Sequence, residues 1–90
     1  MKKIILDLCG KETRKDMHTY LQKELELPEY YGKNLDALYD CLTDVVDDLA
    51  VGLICPADGG ENERYLKSIR KVFRDAEKEN PHLCVFAWKV

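Results

Sequence analysis

Three short, almost purely apolar runs set the terms on which this chain can fold. They are Ile4-Ile5-Leu6-Asp7-Leu8, Leu49-Ala50-Val51-Gly52-Leu53-Ile54-Cys55 and Leu83-Cys84-Val85-Phe86-Ala87-Trp88. None alternates cleanly between apolar and polar. Continuous apolar strands suit a sheet covered on both faces, the usual setting of parallel strands. The gaps between the runs carry helical patterns. The implied order is strand, helix, helix, strand, helix, strand. Strands joined by helical crossovers predict an α/β fold: a small three-stranded parallel β-sheet with right-handed connections and helices packed on it.

The first helical pattern spans about Asp16 to Leu25, with Met17, Tyr20, Leu21 and Leu25 at helical spacing. Thr13, three residues before Asp16, resembles the start of a capping box. Leu27-Pro28 ends this helix, because the residue before proline is pushed out of the α region. A second helix begins near Asn34, a good N-cap residue, and runs to about Val46. Residues 27–33 leave room for one extra helical turn. The last helix runs from about Asn62 to Glu79, with Tyr65, Leu66, Ile69, Val72, Phe73 and Ala76 on one side. Asp58-Gly59-Gly60-Glu61 forms its entry turn, and Pro81 follows its end.

Ninety residues make a single domain, 1–90, able to bury a modest core. Hydrophobic residues at 46% beside charged residues at 34% fit a globular chain rather than a disordered one. No apolar run reaches the length that crosses a bilayer, so no membrane partner is expected. Asp7 and Cys9-Gly10-Lys11-Glu12 end the first apolar run too early for a signal peptide, and a cytoplasmic location is expected. Cys9, Cys41, Cys55 and Cys84 are separated by 32, 14 and 29 residues, which matches no zinc or CxxC spacing. Reduced, buried thiols are expected. His18 and His82 are far from any cysteine pair, so neither metal nor cofactor is expected.

The net charge of −3 is unevenly placed. From Glu29 to Asp48 there are six acids and one base, Lys33, so this segment carries −5 and the rest of the chain +2. Such a face repels phosphate and excludes nucleic acid as its ligand. It suits a basic partner, whereas the blander reading is a solvated helix face. On a wheel of about 100° per residue, Leu35, Leu38, Leu42, Val45 and Val46 form the core side of the second helix. Asp36, Asp40, Thr43 and Asp47 lie about a third of a turn away, with Tyr39 between the groups. Asp36 and Asp40 share a face and repel by a few tenths of a kcal/mol. The helix macrodipole favours Asp36 in the first turn. Asp40 is mid-helix and has no such support, so it is the better candidate for a partner-facing group. Of the adjacent Tyr30 and Tyr31, at least one should pack inward. Gly32 marks a left-handed or close-approach position.

The segment Leu27-Pro28-Glu29-Tyr30-Tyr31-Gly32-Lys33-Asn34-Leu35-Asp36-Ala37-Leu38-Tyr39-Asp40-Cys41-Leu42-Thr43 closely resembles the barstar family of ribonuclease inhibitors. Weaker likeness extends over most of the chain and includes Val72-Phe73-Arg74-Asp75-Ala76, fading between about Asp44 and Glu63. The resemblance implies a three-stranded parallel sheet, no catalysis and no cofactor. It implies a monomer when free that binds the active site of a basic, secreted, barnase-type ribonuclease. Carried across, the binding surface is Tyr30, Gly32, Asn34, Leu35, Asp36, Tyr39, Asp40 and Thr43, with Asp75 on the last helix meeting the enzyme's edge. Asp40 would stand in for the scissile phosphate. Tyr39 sits where the family often has tryptophan, Asp44 where glycine can occur, Val45 where an aromatic can, and Asp75 is one methylene shorter than the familiar glutamate. These changes touch the rim, and Asp44 and Val45 motivate a second reading, a barstar-like module turned to another basic partner. A third, a thiol or metal enzyme, has only the cysteine count behind it.

Overall fold

The computed structural model describes residues 2–58 and 60–90; Met1 and Gly59, the latter in the expected entry turn of the last helix, lie outside them. The elements are β1 (Lys2–Asp7), α1 (Arg14–Glu24), α2 (Leu35–Thr43), β2 (Leu49–Cys55), a 3-10 turn (Gly60–Asn62), α3 (Glu63–Glu79) and β3 (Leu83–Lys89). This is the expected α/β order. The strands form one parallel sheet in the order β1-β2-β3, with Ile5 opposite Gly52 and Gly52 opposite Phe86.

The strand order explains where the core lies. A sheet that grows always in one direction, with right-handed crossovers, receives all its helices on one face. Leu6, Val51, Leu53 and Val85 point to that face and are buried with Met17, Leu21, Leu38, Leu42, Leu66, Ile69 and Phe73. On the opposite face Ile5 is 56% exposed, Phe86 54% and Trp88 50%. The expectation of a sheet covered on both faces is therefore corrected: two-sided cover needs a strand order that reverses, and this one does not. Cys84 is exposed on that open side and Cys9 and Cys41 are only half-buried, so Cys55 alone is the buried thiol expected of all four. All four are free.

Local chemistry sets the helix ends. The Thr13 hydroxyl accepts from the Asp16 amide at 3.0 Å and starts α1. α1 stops before the proline can act. Glu26 adopts a left-handed conformation (φ 54°), the Leu27 amide reaches back to the Gln22 carbonyl at 2.9 Å, and the Glu26 amide to that of Lys23 at 3.3 Å. This pair of bonds is the Schellman closure, made here without glycine. Residues 27–33 then make one turn, closed by the Tyr31 amide on the Pro28 carbonyl at 2.9 Å, rather than an extra helical turn.

α2 ends at Thr43, three residues earlier than the periodicity predicts, and Val46 is 76% exposed rather than in the core. The cause is Asn80, a buried side chain at the end of α3. Its amide nitrogen donates to the carbonyls of Leu42 and Val45, both at 2.9 Å, and lies 3.4 Å from that of Thr43. Its oxygen accepts from the His82 amide at 2.9 Å. One side chain thus satisfies the open end of α2 and holds it against the start of β3. Replacing it strands buried carbonyls, at a cost of about 1–3 kcal/mol for each group left unpaired. Asn80→Ala is expected to lower the urea midpoint by about 2 kcal/mol of stability or more, with an unchanged m-value, in equilibrium unfolding followed by circular dichroism.

Candidate protein-binding surface

The loop from Leu27 and the helix α2 lie at one edge of the helical layer. Their shape starts from Asn34. Its side-chain oxygen accepts from the Ala37 amide at 2.8 Å, which caps α2 as expected. Its amide nitrogen donates to the Gly32 carbonyl at 3.2 Å. A Cβ on Gly32 would fall 2.9 Å from that same nitrogen. Gly32 is therefore a close-approach glycine. The left-handed residue is its neighbour Lys33 (φ 53°).

Tyr30 and Tyr31 divide as expected: Tyr31 is buried and Tyr30 is 88% exposed. Tyr31 is held from below. His18 on α1 is 1% exposed, with Nδ1 hydrogen-bonded to the Tyr31 hydroxyl and Nε2 to the Tyr65 hydroxyl of α3. A neutral imidazole has one donor and one acceptor nitrogen, so one hydroxyl accepts from the ring and the other donates to it. This relay ties α1, the loop and α3 together beneath the acidic surface. The distance of His18 from any cysteine pair argues against a metal ligand but gives no hint of this role. Its place one residue after Met17 and three before Leu21, on the apolar side of α1, was the available signal for a core histidine.

Asp36 and Asp40 both point outward and are exposed. Among the described residues neither takes part in an ion pair. Arg14 shares a shallow depression with Asn34, Asp36, Asp40 and Tyr65. Its guanidinium instead lies over the Tyr65 ring, 4.5 Å from the centroid. That cation–π contact leaves both carboxylates open. Asp40 also borders a second depression, on its other side, with Tyr30, Gly32 and Val45. It stands on the ridge between the two.

Asp36, Leu35 and Tyr39 face α3 across a third depression that includes Asp75. The structure thus brings Asp75 to the same surface as α2. Asp75 is not free, however. Lys71 lies one turn before it at 2.9 Å, and this hydrogen bond holds the Asp75 carboxyl below the usual carboxylate range. Thr43 is half-buried, and its hydroxyl donates back to the carbonyls of Tyr39 and Asp40, each at 3.0 Å. Asn34 and Thr43 therefore act first on the two ends of the helix that carries Asp40.

Cys9 and Cys41 do not have the surroundings of nucleophiles. Burial, with the neighbouring Asp7, pushes the Cys9 thiol up, and burial, with Asp44 and Asp40, pushes Cys41 up. An activated thiol needs the opposite shift.

The family model described as Barstar (barnase inhibitor) matches residues 1–87. The chain belongs to the barstar family. Among curated proteins, "Putative ribonuclease inhibitor YrdF" of Bacillus subtilis (strain 168) is 38% identical over 82 residues, which cover 88% of this chain and 89% of that protein. The barstar match extends through the segment from Asp44 to Glu63, where the resemblance in sequence is faint. Barstar-family proteins are inhibitors rather than enzymes, and the ribonuclease is the partner class that the family description carries. No helix of the described residues is long and apolar enough to cross a membrane.

The buried relay gives this surface a pH dependence. Burial holds the His18 pKa below its ordinary 6.5. As pH falls through that value the unfolded chain takes up a proton before the folded chain does, so stability is full above pH 6.5 and declines below it. Urea unfolding between pH 8 and pH 5 is expected to show this decline, and His18→Gln is expected to flatten it while lowering stability at pH 8.

Proposed function

We propose that this barstar-family protein blocks a basic, barnase-type ribonuclease by placing the Asp40 carboxylate where the scissile phosphate of RNA would lie. The observation that carries the reading is the open state of that carboxylate. Asp40 is exposed, mid-helix, on a ridge, and free of ion pairs among the described residues. A ribonuclease site that holds phosphate offers arginine, lysine and histidine donors, which give short charge-assisted hydrogen bonds to such a group.

The neighbouring residues then have distinct work. Asp36 meets a cation at the near rim, and Leu35 packs beside it. Tyr30, almost wholly solvent-exposed in the free protein, and Tyr39 lie on the cell-like surround that excludes water from the central pair. Gly32 lets the enzyme's backbone come close, while Asn34 and Thr43 fix the helix ends. The net −5 of the segment from Glu29 to Asp48 steers encounter with a basic protein and makes association salt-sensitive. The protein works in the cytoplasm of the producing cell, where an escaped or misfolded nuclease would do harm.

A second reading, a barstar-like module for a different basic partner, draws support from Asp75. With Lys71 bound to it, Asp75 would offer a barnase-type enzyme a carboxylate already shared with a cation.

Asp40→Ala is expected to weaken inhibition of RNA cleavage by a barnase-type enzyme by a few kcal/mol, on a scale to which the barnase–barstar pair itself contributes. Tyr30→Ala should weaken it less. Both variants should keep the wild-type urea midpoint within about 0.5 kcal/mol, since both side chains are exposed. Titration of enzyme activity with each variant checks this. Potent inhibition that is indifferent to Asp40 would reject the phosphate-mimic reading, and absence of inhibition by the wild-type chain would favour the second reading.

A further inference from the structure

The open face of the sheet is an apolar feature that the α2 surface leaves unused. Its middle row is Ile5, Gly52 and Phe86, aligned across the three strands. Gly52 keeps this row flat: a Cβ there would meet Trp88 at 2.7 Å and Ile5 at 2.8 Å, so both side chains lie down over the glycine. Phe86 and Trp88 stack beside it with ring centroids 6.4 Å apart. The result is a shallow apolar depression with Lys3 at its margin.

The charges at its two ends are opposite. Lys3 stands one row before the middle row on β1, and Asp7 one row after it. Both alternate with buried Leu6 and so share the face of Ile5. A two-fold axis lying in the face, across the strands and through the middle row, sets β1 antiparallel over the β1 of a second copy. Lys3 of one copy then meets Asp7 of the other, twice. Ile5 meets Ile5, Phe86 meets Phe86, and the Ala50 row meets the Ile54 row. The same patch on both subunits is self-complementary, which a closed two-fold interface requires.

The sheet's edges are less available. On β3, the amide and carbonyl of Val85 are both taken by α3, by Glu77 at 2.6 Å and Arg74 at 2.9 Å. On β1, the Asp7 amide donates to the Tyr20 hydroxyl at 3.0 Å. Side chains laid on edge strands discourage growth of the sheet sideways. Face-to-face packing remains.

We infer that the protein associates with a second copy of itself through this open face, leaving both α2 surfaces outward. The face is small. Three strands about 4.8 Å apart and five residues of about 3.3 Å each give an area of about 240 Å². A stable dimer buries about 800 Å² per partner. The association is therefore weak, with a dissociation constant on the order of 10⁻⁴ M or above. This sets the free chain apart from the monomer that the barstar resemblance implies, at high concentration only.

The chain has one tryptophan, Trp88, and it lies on this face. The test combines sedimentation equilibrium of the whole protein from about 10 µM to about 1 mM with Trp88 emission over the same range, a span centred on that weak constant. The expected result is a weight-average mass that climbs above the monomer value, together with a blue shift of Trp88. Lys3→Asp should weaken association about tenfold, because it replaces two attractive contacts by two repulsive ones. Adding Asp7→Lys should restore it. Since Asp7 also accepts from the Cys9 amide at 2.9 Å, Phe86→Asp serves as a second variant and should abolish association with unchanged circular dichroism. A monomer throughout the range overturns the inference and leaves the face to a different partner. So does association that leaves Trp88 emission unmoved, or that ignores both Lys3→Asp and Phe86→Asp. Ribonuclease inhibition is read separately, because none of these side chains lies on the α2 surface.

Discussion

The direction in which the sheet grows governs this protein. Three parallel strands in the order β1-β2-β3 never reverse, so both crossovers deposit their helices on the same side. One face is then a packed core of Leu6, Val51, Leu53 and Val85 against the helices, and the other meets solvent. The same asymmetry presses α2 against α3 on the core side, and there the two helices share the depression between Tyr39 and Asp75. A doubly wound sheet of the same strands would have buried Phe86 and Trp88.

Beneath the acidic surface, two buried polar side chains do what apolar packing cannot. His18 fixes the loop through Tyr31 and reaches α3 through Tyr65. Asn80 ties the end of α2 to the turn before β3. Each has its hydrogen-bonding groups satisfied in one geometry only, so each specifies where an element must sit as well as adding stability. A loop and a short helix would otherwise be among the softer parts of such a small domain. Held at both ends, they present their side chains already in place, which reduces the ordering cost of binding.

The charges on that surface are arranged with unequal freedom. Asp36 and Asp40 repel each other along one helix and are relieved by no ion pair among the described residues. Arg14 is near enough to share their depression yet rests on Tyr65. Asp75, by contrast, is already paired with Lys71. Exposed pairs of this kind are weak, so Lys71 shifts the balance of the α3 rim rather than closing it. That uncompensated self-repulsion is what supports the role proposed for Asp40 toward a partner.

Much of this was legible beforehand. The strand runs, the helix order, the caps Thr13 and Asn34, and the outward turn of Asp40 all follow from local pattern, because periodicity and capping depend on near neighbours in sequence. The early stop of α2, the exposure of Val46 and the closure at Glu26 did not, because they depend on Asn80 and on backbone bonds that periodicity does not report. The sequence by itself determined which segments are strands and helices and which carboxylates crowd one helical face, since those are properties of neighbouring residues. Only the tertiary structure decided that one sheet face stays open, that His18 joins two tyrosines 13 and 47 residues away, and that Asp75 is paired while Asp40 is free. Those outcomes rest on contacts between residues distant in the chain, and pattern in a single sequence carries no term for them.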